Sequence, residues 1–126
     1  MNLFESGQFI LHSGDKSNWK INCDVLTSED ITTLASMVYE SVGLFRKAIG
    51  IPTGGLELAN ILQGYCFPNP EYPILIVDDV LTTGASMEKM KRIQNKKNHE
   101  VIGVVLFARG KCPDWVFPLF KYCGAN

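Results

Sequence analysis

Short runs of branched apolar residues alternate along this chain with longer stretches whose apolar positions recur every three or four residues. Ala48 to Ile51, Pro73 to Val77 and Val101 to Ala108 are apolar runs of strand length without polar alternation. Runs of that kind fit strands covered on both faces. Between them, Ser28-Glu29-Asp30 reads as a serine cap with acids in a first helical turn. Ile31, Leu34, Ala35, Val38, Val42 and Phe45 then follow on one face, which predicts a helix to about Lys47. Gly54-Gly55 leads into Leu56, Leu58, Ala59, Ile61 and Leu62, a second helix ending near Gly64, and Met87, Met90 and Ile93 mark a third.

The ends of the chain follow other rules. Phe9-Ile10-Leu11, a turn at Ser13-Gly14-Asp15, and Trp19 to Cys23 predict an N-terminal hairpin. Trp115 to Tyr122 is apolar but holds Pro118, which a central strand would not tolerate, so it is expected as an edge strand or an extended cap. Strands that alternate with helices pair in parallel through right-handed crossovers. The expected fold is a three-layer α/β sandwich: a mostly parallel sheet of four or five strands, with a small hairpin in front. Residues 1–126 are read as a single domain.

Composition narrows the function. With 46% hydrophobic and 20% charged residues and a formal charge of −1, the chain has ordinary globular usage and no polyanion-binding excess. The basic residues from Lys89 to Lys97 read as a solvated helix face and its exit, so no nucleic-acid partner is expected. No apolar run approaches membrane-spanning length, and Met-Asn-Leu-Phe-Glu-Ser lacks a signal-peptide pattern, so a cytoplasmic protein without a membrane partner is expected. Cys23, Cys66, Cys112 and Cys123 have no zinc-site spacing and are expected as buried free thiols.

The chemistry concentrates in PILIVDDVLTTGASMEKM, residues 73–90. Two carboxylates at the end of a buried strand are costly unless they meet donors or a cation, which suggests a hydroxyl-rich ligand or Mg²⁺. Thr82-Thr83-Gly84-Ala85-Ser86 then enters a helix, where unpaired amides and the positive dipole end favour a phosphate. Acids for a diol beside a phosphate cup suit a ribose 5-phosphate. Neither a Walker A motif nor Gly-x-Gly-x-x-Gly is present, so P-loop and dinucleotide readings fall away.

ILIVDDVLTTGAS resembles the phosphoribosyl pyrophosphate signature of type I phosphoribosyltransferases. The resemblance implies that Asp78 and Asp79 contact the ribose hydroxyls and Mg²⁺, and that Thr82, Thr83, Gly84, Ala85 and Ser86 hold the 5′-phosphate. It also sets Thr53, Gly54 and Gly55 in the pyrophosphate loop. Phe9 to Ser17 is similar to a segment near the start of orotate phosphoribosyltransferases, where a lysine at the Lys16 position meets the ligands. Arg109 matches an arginine that approaches the base in that branch. The implied catalytic residues are Lys16, Asp78 and Asp79. The implied partners are phosphoribosyl pyrophosphate and a nucleobase, orotate first, in a homodimer.

Two features depart from that branch. Orotate enzymes carry a long mobile loop with basic residues before the signature strand, where Gly64 to Pro73 here reads GYCFPNPEYP, with three prolines and no basic residue. The pyrophosphate loop has Thr53-Gly54 where those enzymes often place a lysine. Displacement at the ribose C1 passes through an oxocarbenium-like state, and each preorganised donor to the leaving group is worth ~2.7–4 kcal/mol. Two functions therefore stay open: phosphoribosyl transfer, or binding of a phosphoribosyl ligand without turnover. His99 reads as solvated; His12, beside Ser13-Gly14, stays open as a residue that approaches the ligand, with no such role favoured, and Trp115 and Phe117 stay open as covers for a planar base, with a core role favoured.

Overall fold

The computed structural model describes residues 3–10 and 16–122. His12, the Ser13-Gly14-Asp15 turn and Cys123 lie outside them. The chain runs β1 (Phe4–Ile10), β2 (Lys16–Ile21), α1 (Ser28–Val42), β3 (Lys47–Gly50), α2 (Leu56–Leu62), β4 (Ile74–Leu81), α3 (Ala85–Lys96), β5 (Val101–Arg109) and β6 (Val116–Tyr122), with 3₁₀ turns at Cys23–Val25 and Gln63–Tyr65. β1 and β2 form an antiparallel pair, with a register shift between Ser6 and Phe9. The other strands form one four-stranded sheet in the order β3-β4-β5-β6, every pair parallel.

Both faces of the sheet are covered, which is why its strands carry no polar alternation. Leu75 and Val77 of β4 and Val104 and Leu106 of β5 meet Ile31, Ala35 and Val38 of α1 and Leu58 and Leu62 of α2. Ile74 and Ile76, with Val105, turn the other way onto Met87 of α3 and Val116 of β6. These are the three layers the sequence predicts. Pro118 sits in β6 at the sheet's edge, where a missing N–H breaks no ladder on the outer side.

Several boundaries differ from the sequence reading, each for a local reason. Thr27, not Ser28, caps α1: its hydroxyl accepts from Asp30 N–H at 3.1 Å, and Asp30 accepts from Thr27 N–H at 2.9 Å. The helix stops at Val42, because Gly43 takes φ +77° and returns its N–H to the Tyr39 carbonyl at 3.2 Å. Phe45 therefore lies beyond the helix, fully buried in the approach to β3, with the Tyr39 ring edge-on at 6.5 Å. β1 begins five residues before the predicted Phe9, and Cys23 falls in a 3₁₀ turn after β2. Cys23, Cys66 and Cys112 are free thiols, half-buried rather than buried. Among the described residues, no helix is long and apolar enough to cross a membrane.

The largest revision concerns β4. The sequence ends it at Val77, but pairing with β5 continues to Leu81, so Asp78 and Asp79 belong to the strand. The pleat slips by one residue there. Val77 and Val80 both join the α1/α2 side of the core, whereas even spacing would alternate them, and Leu81 joins the α3 side. β5 slips with it, between Leu106 and Phe107.

Candidate functional site

The slip is built by the two acids. Asp78 Oδ1 accepts from Asp79 N–H at 2.8 Å, and Asp79 Oδ1 accepts from Val80 N–H at 2.7 Å. Side-chain acceptors thus take amides that a regular ladder would use, and the strand end opens toward the sheet's carboxyl rim. Both carboxylates are half-buried. Burial first, then a hydrogen bond and repulsion from Asp79, push the Asp78 carboxyl up to about 7.

After Leu81 the chain turns through Thr82 and Thr83 into α3. Gly84 is the N-cap residue at φ +82°, a conformation that favours glycine, and it supplies no side-chain cap. Only a long contact from Ala85 N–H to Thr83 Oγ1, 3.4 Å, lies across the entry. Donors in the first turn of α3 thus open onto the rim, the arrangement that favours an anion.

The loop after β3 approaches from the neighbouring strand. Ile51 N–H donates to the Val77 carbonyl at 2.8 Å, and Gly55 N–H to the Ile51 carbonyl at 2.9 Å, which ties residues 51–55 to the end of β4. The Pro52–Thr53 peptide bond is cis. A Cβ at Gly55 would meet the Val77 carbonyl, and one at Gly50 would lie 2.5 Å from the Gly55 carbonyl, so both positions require a bare backbone.

These parts line one cavity of about 730 Å³ at the carboxyl end of the sheet, the place where open α/β sheets bind ligands. Thr53, Gly54, Asp78, Asp79, Thr82, Thr83, Gly84, Ala85, Ser86 and Arg109 all face it. Gly55 supports the loop from behind. Lys16 starts β2, and its side chain lies outside the described structure. Arg109 is the last residue of β5 rather than a residue after the strand.

Other candidates lie elsewhere. Trp115 gives its indole N–H to Glu88 at 2.8 Å and takes Lys91 over its ring at 4.8 Å, so it covers α3 and not the cavity. His99 is half-buried rather than solvated, its Nδ1 2.9 Å from Gln94 Oε1. The segment from Gly64 to Pro73 runs between the end of α2 and the start of β4. It is tied beside the start of β3, where Phe67 N–H meets the Phe45 carbonyl at 2.9 Å, far from the carboxyl rim.

The structure adds residues the sequence reading missed. Asn22, Cys23 and Asp24, after the hairpin, line the cavity, as does Glu57 in the first turn of α2, which accepts from Ser28 Oγ at 2.9 Å. Burial and then the nearby Asp79, Asp24 and Asp78 push the Cys23 thiol up to about 12. The Asn22-Cys23-Asp24 step, directly after the alternating strand that ends at Ile21, was the available signal. For Glu57 it was an acid in a first helical turn next to a glycine loop.

No family model matches the chain. An orotate phosphoribosyltransferase of Sorangium cellulosum is 26% identical over 136 residues, covering 81% of this chain and 71% of the relative. One of Pyrobaculum aerophilum is 32% identical over 134 residues, covering 84% and 69%. The crystal structure of orotate phosphoribosyltransferase from Aeropyrum pernix shares the fold, with a TM-score of 0.77 at 23% identity over 94% of this chain and 88% of that one. With sequence and fold in agreement, the chain belongs to the orotate phosphoribosyltransferase family of type I phosphoribosyltransferases.

Proposed function

We propose that the protein binds phosphoribosyl pyrophosphate with Mg²⁺ and transfers its ribose 5-phosphate to the nitrogen of a nucleobase, orotate being the first candidate. One observation carries this reading: an acid pair, a bare glycine loop and an uncapped helix entry converge on a single cavity with one guanidinium. Asp78 and Asp79 would accept the ribose hydroxyls. Residues 82–86 would take the 5′-phosphate through amides and hydroxyls, at about 1.5–3 kcal/mol for each bond to a charged group. The 51–55 loop would present backbone donors to the diphosphate, and Arg109 would meet the base. Lys16 would act beside the leaving group.

The donors fit Mg²⁺ only together with ligand oxygens. Among the described residues no group of three or more His, Cys, Asp or Glu could hold a metal ion, whereas Mg²⁺ commonly uses one or two carboxylates plus phosphates and water. Asp78 and Asp79 would hold it, and it would neutralise charge on the leaving diphosphate.

A second reading has its own observation. Arg109 is the single cationic side chain lining the cavity among the described residues, and the loop-like segment 64–73 lies at the other end of the sheet. Such a site suits a binding module that holds phosphoribosyl ligands without turnover. An assay with orotate and a panel of purine and pyrimidine bases, with Mg²⁺, separates the two: nucleotide product supports transfer. Sugar pyrophosphate binding without product from any base overturns it. Asp78→Asn/Asp79→Asn should abolish binding, and normal binding by that variant refutes the role of the acids.

A homodimer is part of the same proposal. Phe117 and Phe120 on the edge strand β6 are each 43% exposed, an apolar edge suited to a second copy. A dimeric mass by light scattering is the expected result, and a monomeric mass at micromolar concentration removes this element.

A further inference from the structure

Gly54, like Gly50 and Gly55, is a glycine for space rather than for backbone angle, but what fills its space is a side chain and not a carbonyl. Its backbone lies outside the left-handed region, where φ positions such as those of Gly43 and Gly84 are found, so an alanine could adopt its conformation. Space forbids it. A Cβ built on Gly54 would run into the Asp79 carboxylate, with Cγ only 2.5 Å away and both oxygens in contact. Real Cβ atoms do not approach a carboxyl carbon so closely. Asp79 cannot yield freely either, because its Oδ1 is tied to Val80 N–H at 2.7 Å and this bond belongs to the strand's slipped pleat.

We propose that Gly54 is a positioning residue for Asp79: the bare α-carbon of the loop makes the seat in which the carboxylate lies, and any side chain at 54 turns the acid away from the ligand. This deepens the phosphoribosyl reading and rests on it. The glycine loop and the acid pair, carried by different strands, then behave as one unit. A cation cannot be supplied at this position by lysine, since lysine brings the same Cβ.

The test is a double-mutant cycle of Gly54→Ala with Asp79→Ala. Gly64→Ala serves as the control, since a Cβ there meets nothing within 4 Å. Ribose 5-phosphate and inorganic phosphate are titrated calorimetrically, and melting is followed without ligand. Gly54→Ala is expected to weaken ribose 5-phosphate by about tenfold or more, roughly 1.4 kcal/mol per decade, and to leave inorganic phosphate, held by residues 82–86, unchanged. A general structural defect would weaken both. Melting should fall in Gly54→Ala but not when Asp79→Ala is already present. If Gly54→Ala does not fold, adding Asp79→Ala must restore folding. Unchanged ribose 5-phosphate affinity in Gly54→Ala, equal loss of both ligands, or additive melting shifts overturn the proposal. If the wild type binds neither ligand, the phosphoribosyl reading fails, and the melting cycle alone decides whether Gly54 seats Asp79.

Discussion

At the scale of single residues, the acid pair sets the pH behaviour of the protein. Asp78 titrates near 7 in the folded chain against 3.8 for the free side chain, because burial penalises its charge and Asp79 repels it. The folded state therefore keeps a proton that the unfolded state has released. The contribution of this group is fully present below the unfolded value and is lost as pH rises through the folded one, so it erodes between 3.8 and about 7. Asp78→Asn cannot ionise and is expected to be less sensitive over that window. Thermal melting from about pH 4 to about pH 8 checks this, as the difference between wild type and Asp78→Asn. Parallel profiles would mean that folding does not shift Asp78. The same protonation bears on ligands, since a protonated Asp78 accepts only through its carbonyl oxygen, more weakly than a carboxylate does.

At the scale of elements, the capping box of α1 offers a clean measurement. Thr27 and Asp30 exchange two bonds at an exposed helix start, so Thr27→Ala should cost about 1 kcal/mol and lower the urea midpoint with no change in slope. No loss in Thr27→Ala would remove the capping role from Thr27. The elements also mark how far the sequence can be read. Apolar runs and helical spacing located all three helices and strands β3, β4 and β5, because both signals come from burial on a sheet covered on both faces. Pro118, by contrast, left Trp115 to Tyr122 open between an edge strand and an extended cap, and the segment forms the edge strand β6. Boundaries were less legible where a side chain rather than a period decides them. Thr27 in place of Ser28, Gly43 ahead of Lys47 and the acids that extend β4 to Leu81 are all of this kind. The site residues of β4 and α3 could be read since they are contiguous, whereas Asn22, Cys23, Asp24 and Glu57 reach the cavity only through tertiary placement. The contact of Gly54, in the loop after β3, with Asp79 of β4 is likewise one that no local pattern encodes.

For the molecule as a whole, the balance of charge around the cavity decides how a polyanion can enter. Asp24, Glu57, Asp78 and Asp79 line it against Arg109, while the entire chain carries a formal charge of only −1. The described wall is thus more acidic than the protein around it. On the function proposed above, phosphoribosyl pyrophosphate would need its charge neutralised in such a site, and Mg²⁺ held by Asp78 and Asp79 would supply that. Removing divalent cations with EDTA should therefore weaken the sugar pyrophosphate far more than ribose 5-phosphate, whose single phosphate would meet the entry of α3 on that reading. Salt gives the opposite sign from a basic pocket. Screening shortens to about 3 Å at 1 M ionic strength, so in EDTA added salt should relieve repulsion, and affinity should hold or rise. A steep fall of affinity with salt would show that basic groups beyond the described wall dominate the field. Lys16 is the first to examine, by Lys16→Ala, for if its ammonium closes the cavity the salt dependence should reverse in that variant.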